Sequence, residues 1–313
     1  DQIRLQVELR RFEESFTGID DGGILTSDPI VSGNTARITR TGLTDGKYHW
    51  RARVIDTNGN KSGWQEFGAA RNVDFEIRTK IPVIIVPGIM GSSLIAQQDI
   101  FNTDYKIAAS GDTLWIPDSS LPDLLPLGRI RALKMNSDGS SYNTVGVGGI
   151  IDHYDSYHFY DGLISNLVTQ HGYATGTDLF LFPYDWRKDI LLTAQSLSSK
   201  IDEVKALTGS PAVDIIAHSQ GGLVVKAYAS KKTGNASIRK FIDIGTPHLG
   251  TPFAFKTLMW GYDLDASFNG LFGKLKKSLL EQAIKDAAQN MPSMYDLLPS
   301  DQYFVSSTTD PYY

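Results

Sequence analysis

At Lys80 the periodicity of the chain changes. Before it, apolar and polar residues alternate in short runs. After it, continuous apolar runs are separated by stretches with apolar residues three and four apart. Strict alternation is the pattern of a half-buried strand, a continuous short run that of a strand buried on both faces, and the wider spacing that of a helix. The two patterns in succession predict two domains, an all-β module over 1–79 and an α/β domain over 80–313 with a mostly parallel sheet.

In the first stretch Ile3, Leu5, Val7 and Leu9 alternate with polar neighbours, as do Tyr48, Trp50, Ala52 and Val54. Ala36 to Thr41 is a further strand candidate, Val73, Phe75 and Ile77 make a last one, and Asn58-Gly59 is a hairpin signal. Short strands spaced by turns predict a sandwich. His49 falls opposite Tyr48 and Trp50 in the alternation and is read as a surface residue.

In the second stretch Ile81 to Val86, Asp178 to Phe182, Val213 to Ala217 and Phe241 to Ile244 read as strands. Asp155 to Gly172, Ile190 to Leu207, Leu223 to Lys231 and Lys274 to Gln289 read as helices. Between a strand and a helix stands Ala217-His218-Ser219-Gln220-Gly221-Gly222. A serine on so sharp a turn needs small residues two before and two after it, which Ala217 and Gly221 supply. Ser219 is thus the candidate nucleophile. The chain has no cysteine, so a thiolate nucleophile, disulfides and zinc–cysteine sites are excluded. An oxyanion needs two backbone N–H donors, one of them from the residue after the nucleophile, Gln220. The other is assigned to Ile89, with Met90 as the alternative. Both lie in Val86-Pro87-Gly88-Ile89-Met90-Gly91, where Gly88 lets the loop come close.

Val86 to Leu94 resembles the oxyanion segment of the lecithin:cholesterol acyltransferase family. Thr113-Leu114-Trp115 is similar to that family's tryptophan segment, Phe182-Pro183-Tyr184-Asp185-Trp186-Arg187 to its Pro-Tyr-Asp-Trp-Arg signature, and Ala217 to Gly222 to its elbow. Gly245-Thr246-Pro247-His248-Leu249-Gly250-Thr251 and Met291-Pro292-Ser293-Met294 are similar to later segments. The resemblance implies an α/β-hydrolase fold and acyl transfer from a lipid ester through a Ser219 acyl-enzyme. No cofactor is expected, and none of the six histidines has the spacing of a metal site, while calcium dependence stays open. The substrate would be met at a membrane or lipoprotein surface. Leu43 to Arg51 resembles the late strands of a fibronectin type III module with its first strand clipped. Tyr48 would be its tyrosine corner, which implies a spacer or a protein- or glycan-binding module and an extracellular or cell-surface location.

An α/β-hydrolase triad runs Ser, then Asp, then His. Of the six histidines, His49, His153, His158 and His171 precede the elbow and His218 abuts Ser219. Only His248 follows, in a turn that the resemblance marks as structural. Asp243 and His248 are kept as in-chain candidates for the acid and base, with Asp263 and Asp265 behind them. The preferred expectation is that the triad Asp and His lie beyond Tyr313, in a longer polypeptide. Asp185 and Arg187 share side-chain parity and are read as a brace beside the site. Residues 251–272 are rich in aromatic side chains and predict core packing or a lid over an acyl groove; residues 97–150 predict a second cap.

The formal net charge of −5 gives no electrostatic footprint for nucleic acid, and no apolar run approaches the roughly 20 residues of a membrane helix. Two other functions remain open: a carboxylesterase or deacylase for a non-lipid ester, and a binding protein that has lost its triad.

Overall fold

The computed structural model describes residues 2–68, 72–77, 80–103, 105–118, 125–231, 235–262 and 277–304. The chain divides into two compact units, Asp1–Lys80 and Ile81–Tyr313.

The first unit is built on two long strands, β1 (Gln2–Arg11) and β4 (Gly46–Asp56), antiparallel from Ile3 opposite Asp56 to Arg11 opposite Tyr48. The short strands β2 (Ile24–Thr26) and β3 (Ile30–Val31) pair with β1, while β5 (Gln65–Glu66) and β6 (Phe75–Ile77) pair with β4. All six therefore belong to one antiparallel sheet, where a sandwich of two was expected. Among the described residues every short strand pairs with β1 or β4, and Ala36–Thr41 holds no strand, so no second layer is seen there. The Tyr48 hydroxyl donates to the Thr44 carbonyl at 2.7 Å. His49 is buried, not on the surface: its ring stacks on Phe16 at 4.1 Å, and its Nε2 lies 2.8 Å from the Glu14 carbonyl. Alternation assigns a face; here a loop returns to cover the face that the pattern leaves to solvent. On the same sheet Glu8 is fully buried yet ionised. Burial alone would raise its pKa, but N–H groups of Thr17 and Gly18 and the guanidinium groups of Arg51 and Arg10 outweigh that and lower it.

The second unit centres on a four-stranded parallel sheet. In spatial order it runs β15 (Leu179–Leu181), β7 (Val83–Val86), β16 (Val213–His218), β17 (Ile238–Ile244). The continuous apolar run of β7 is explained by its two buried faces. Ile84 and Val86 enter the main core, and Val83 and Ile85 enter a smaller one with Leu179 and Ile216. Leu163, Ile164 and Leu167 of α2 (Asp161–Thr169) close the smaller core. The main core is closed by Ala194, Leu197, Ile201 and Val204 of α3 (Ile190–Thr208). Asp189 caps α3 by accepting from the N–H groups of Leu191 and Leu192, and Gly209 ends it at φ 69°. α2 is shorter than expected. The stretch before it forms the hairpin β13 (His153–Tyr154) and β14 (Tyr157–His158), held because the Asp152 carbonyl accepts from the N–H groups of Phe159, Tyr160 and Asp161.

The remaining strands make a three-stranded antiparallel sheet, β11 (Thr113–Trp115), β8 (Ser92–Ala96), β12 (Val145–Ile150), and a hairpin, β9 (Ile100–Phe101) with β10 (Lys106–Ala108). Further helices are α1 (Leu125–Arg131), α4 (Gln220–Ala229), α5 (Pro252–Trp260), α6 (Lys277–Ala288) and α7 (Pro292–Asp296). No helix among the described residues is long and apolar enough to cross a membrane.

Candidate active site

β16 ends at His218, α4 starts at Gln220, and Ser219 alone makes the turn between them. Its backbone stands at φ 51°, ψ −124°, a conformation that L residues rarely hold. The turn is pinned by the Ser219 N–H, which donates to the Ile244 carbonyl of β17 at 2.9 Å. Ala217 is completely buried. A Cβ on Gly221 would lie 2.4 Å from the Pro87 carbonyl oxygen, and one on Gly222 would collide with Thr246. The small residues of the elbow are thus required by backbone that crosses directly behind the helix start.

The loop after β7 passes in front. A Cβ on Gly88 would lie 2.9 Å from that of Ser219, so only glycine admits this approach. Met90 takes φ 63°, and its carbonyl accepts from the Trp115 indole at 2.8 Å. Among the described residues the backbone N–H groups of Ile89 and Gln220 have no intramolecular acceptor. They sit respectively one residue after the glycine that touches Ser219 and at the N-terminus of α4, where the helix dipole favours negative charge.

The signature at 182–187 braces this arrangement. Arg187 is fully buried and forks onto Asp185, Nε to Oδ1 at 2.9 Å and NH2 to Oδ2 at 2.8 Å. Its remaining donors reach the Leu133 carbonyl and the Ser141 hydroxyl. Tyr184, whose burial raises its pKa well above the usual phenol value, donates to the Pro87 carbonyl at 2.8 Å and lies 3.1 Å from the Gln220 side-chain amide. The Trp186 indole donates to the Ser92 carbonyl, and its ring meets Trp115 edge to face.

Ser219, Ile89 and Met90 open onto a cavity of about 430 Å³. Its walls are apolar: Trp115, Leu133, Phe253, Ile284, Met291 and Met294 among them. The aromatic stretch 251–272 therefore divides. Phe253 and Tyr262 line the cavity, Phe255, Met259 and Trp260 face solvent, and 263–272, with Asp263 and Asp265, lies outside the described residues. Of the expected second cap, Trp115 and Ile116 are core residues, and Leu121 and Leu124 lie outside the described residues.

Asp243 and His248 meet each other: His248 Nε2 is 2.5 Å from Asp243 Oδ2, in a partly exposed pair. None of the six histidines lines the cavity at Ser219. No group of three or more His, Asp or Glu among the described residues is arranged to hold a metal ion.

The family model for lecithin:cholesterol acyltransferase matches residues 149–311, just over half of the chain. The chain belongs to that family. Lecithin-cholesterol acyltransferase-like 4 of Arabidopsis thaliana is 25% identical over 69% of this chain and 42% of its own length. A phospholipase A(1) of the same plant is 35% identical over 31% of this chain and 22% of its own length. The phosphatidylcholine-sterol acyltransferase of Rattus norvegicus is 28% identical over 72% and 56%. The chain spans about half or less of the length of these family members.

One contact at the elbow of this lecithin:cholesterol acyltransferase family member has no signal in the sequence. Tyr160, the residue before α2, accepts from the Gly88 N–H at 2.9 Å and lies 2.9 Å from His218 Nδ1. Nothing local marks it, because its partners are 72 and 58 residues away.

Proposed function

We propose that this chain carries the nucleophile, the oxyanion donors and the acyl-chain cavity of a serine acyltransferase or lipase acting on lipid esters, within an α/β-hydrolase fold. The observation that carries the reading is Ser219, held at positive φ on a strand–helix elbow, in the lining of a mostly apolar cavity. Its volume falls in the roughly 300–1,000 Å³ of small-molecule sites, and each methylene it takes from water contributes about 0.8 kcal/mol.

In this reading Ser219 Oγ gives its proton to a general base as it bonds to the ester carbonyl carbon, and that base later returns the proton to the departing oxygen. The carbonyl oxygen becomes an oxyanion held by the N–H groups of Ile89 and Gln220. The bond to the departing alcohol then breaks and that oxygen takes up a proton, leaving an acyl-serine. Water or a second alcohol reverses the sequence. A serine hydroxyl needs a base to attack. With no histidine lining the cavity at Ser219, we assign the base and its acid to residues outside 1–313.

The test is labelling of the full-length protein with alkyl p-nitrophenyl phosphonates of graded chain length. A single adduct on Ser219, lost in Ser219→Ala and formed faster with long chains, is the expected result. Faster labelling by short chains would move the protein to the esterases. No adduct on Ser219 would leave an acyl-binding protein, a reading that the lack of a histidine in the cavity lining favours.

A further inference from the structure

Two tyrosine hydroxyls tie the loop after β7 to the elbow, one on each side of Ser219. On the far side Tyr184 joins the Pro87 carbonyl to Gln220. On the near side Tyr160 joins the Gly88 N–H to His218. The near tie joins the residue before Ile89 to the residue before Ser219.

The protons of the near tie can be placed. The Gly88 N–H can only donate, so the Tyr160 oxygen accepts. The single phenolic proton is then free for His218 Nδ1, which must present a lone pair. Burial lowers the pKa of His218 below its usual value, so the neutral ring supplies that lone pair. Tyr160 is itself buried, with its ring edge-on to His218 at 5.9 Å. Its main chain is fixed through the Asp152 carbonyl. A Cβ on Gly88 would lie 3.1 Å from His218 Nδ1, so the loop and the elbow touch where the hydroxyl joins them.

We propose that Tyr160 is a positioning residue of the acyl-transfer site, setting the place of the Ile89 N–H relative to Ser219 Oγ through the Gly88–Tyr160–His218 hydrogen-bond chain. This rests on the reading of Ser219 as nucleophile. The Tyr160 hydroxyl acts through Gly88 and His218 rather than on the substrate. Its loss should therefore lower the rate of the chemical step and leave binding in the apolar cavity intact. Removing an oxyanion donor outright costs about 10²–10³ in kcat, so loosening one should cost less, about 10- to 100-fold.

The experiment measures ester hydrolysis and Gly88 amide exchange in the full-length protein. Tyr160→Phe keeps the ring and removes the hydroxyl. The expected result is a 10- to 100-fold lower kcat, KM within threefold of the parent, and faster exchange at the Gly88 amide. His218→Leu, which removes the acceptor, should repeat the loss. His218→Asn, whose amide oxygen can stand at the place of Nδ1, should recover most of it. Should Tyr160→Phe not fold, the Leu and Asn pair decides alone. A kcat within twofold of the parent, unchanged Gly88 exchange, or equal activity of the Leu and Asn variants overturns the proposal. Failure of the underlying reading looks different: Ser219→Ala would then keep its turnover.

Discussion

Replacing Arg187 by alanine is the sharpest test of how this unit is held together. Arg187 is fully buried and spends four side-chain hydrogen bonds, two on Asp185 and one each on the Leu133 carbonyl and the Ser141 hydroxyl. In the alanine variant the Asp185 carboxylate stays buried with only the residue-187 N–H, now at 3.2 Å, as a donor. Breaking a buried ion pair from one side costs about 3–5 kcal/mol, since the partner charge is left uncompensated. For a unit of this size 1 kcal/mol lowers Tm by roughly 2–4 °C, so Tm should fall by about 6–20 °C. Melting is followed by tryptophan emission, since Trp186 lies one residue away and packs on Trp115. The double variant Asp185→Leu, Arg187→Met removes both charges and should regain much of the loss. A Tm drop under about 3 °C would refute this accounting. So would a changed chain-length preference at constant Tm, because that would make the pair a specificity device rather than a brace.

Gly221→Ala should slow phosphonate labelling at least tenfold and cost about 1–3 kcal/mol, because its Cβ meets the backbone carbonyls of Pro87 and Val86. Gly162→Ala in α2 meets nothing within 4 Å and should leave labelling unchanged. Ser219→Gly should melt above Ser219→Ala, by about 1–2 kcal/mol, because only glycine relieves the strain of φ 51°; equal melting would refute the strain. His218 has a folded pKa below its unfolded one because burial opposes its charge. Its contribution is therefore complete above about pH 6.5 and is lost as pH falls toward the folded value. Tyr160 contacts the ring, and His158, itself paired with Asp161, lines with His218 a second pocket separate from the cavity at Ser219. Tm should fall more steeply from pH 7 to pH 5 in the parent than in His218→Asn; parallel curves would refute it.

The elbow was legible because its demands are local: a strand, a turn too tight for side chains at 217 and 221, and a helix. The Asp185–Arg187 brace was legible for the same reason, two residues of one parity. What sequence reading missed is non-local. His49 is buried by Phe12 and Phe16, which fold back from another strand end. The single sheet of the first unit depends on which strand each short segment pairs with, and periodicity does not encode partners. Asp243 and His248 pair with each other, as the acid and base of a triad do, but neither lines the cavity at Ser219. Tyr160 reaches the site only through three-dimensional closure.

The strand order of the parallel sheet also sets a timetable. β7 lies between β15 and β16, and both of its neighbours are made later. Its first partner, Leu179, follows Val83 by 96 residues, and its second begins at Val213, 130 residues on. At a synthesis rate of roughly 5–20 residues per second, Val83–Val86 leaves the ribosome about 5–20 s before either edge of it can be satisfied. During that interval this wholly apolar strand, buried along its whole length in the finished unit, together with the loop proposed to carry Ile89, has nothing native to pair with. Yield in cells is therefore expected to depend on translation speed and on holdase chaperones more than on the stability of the finished unit.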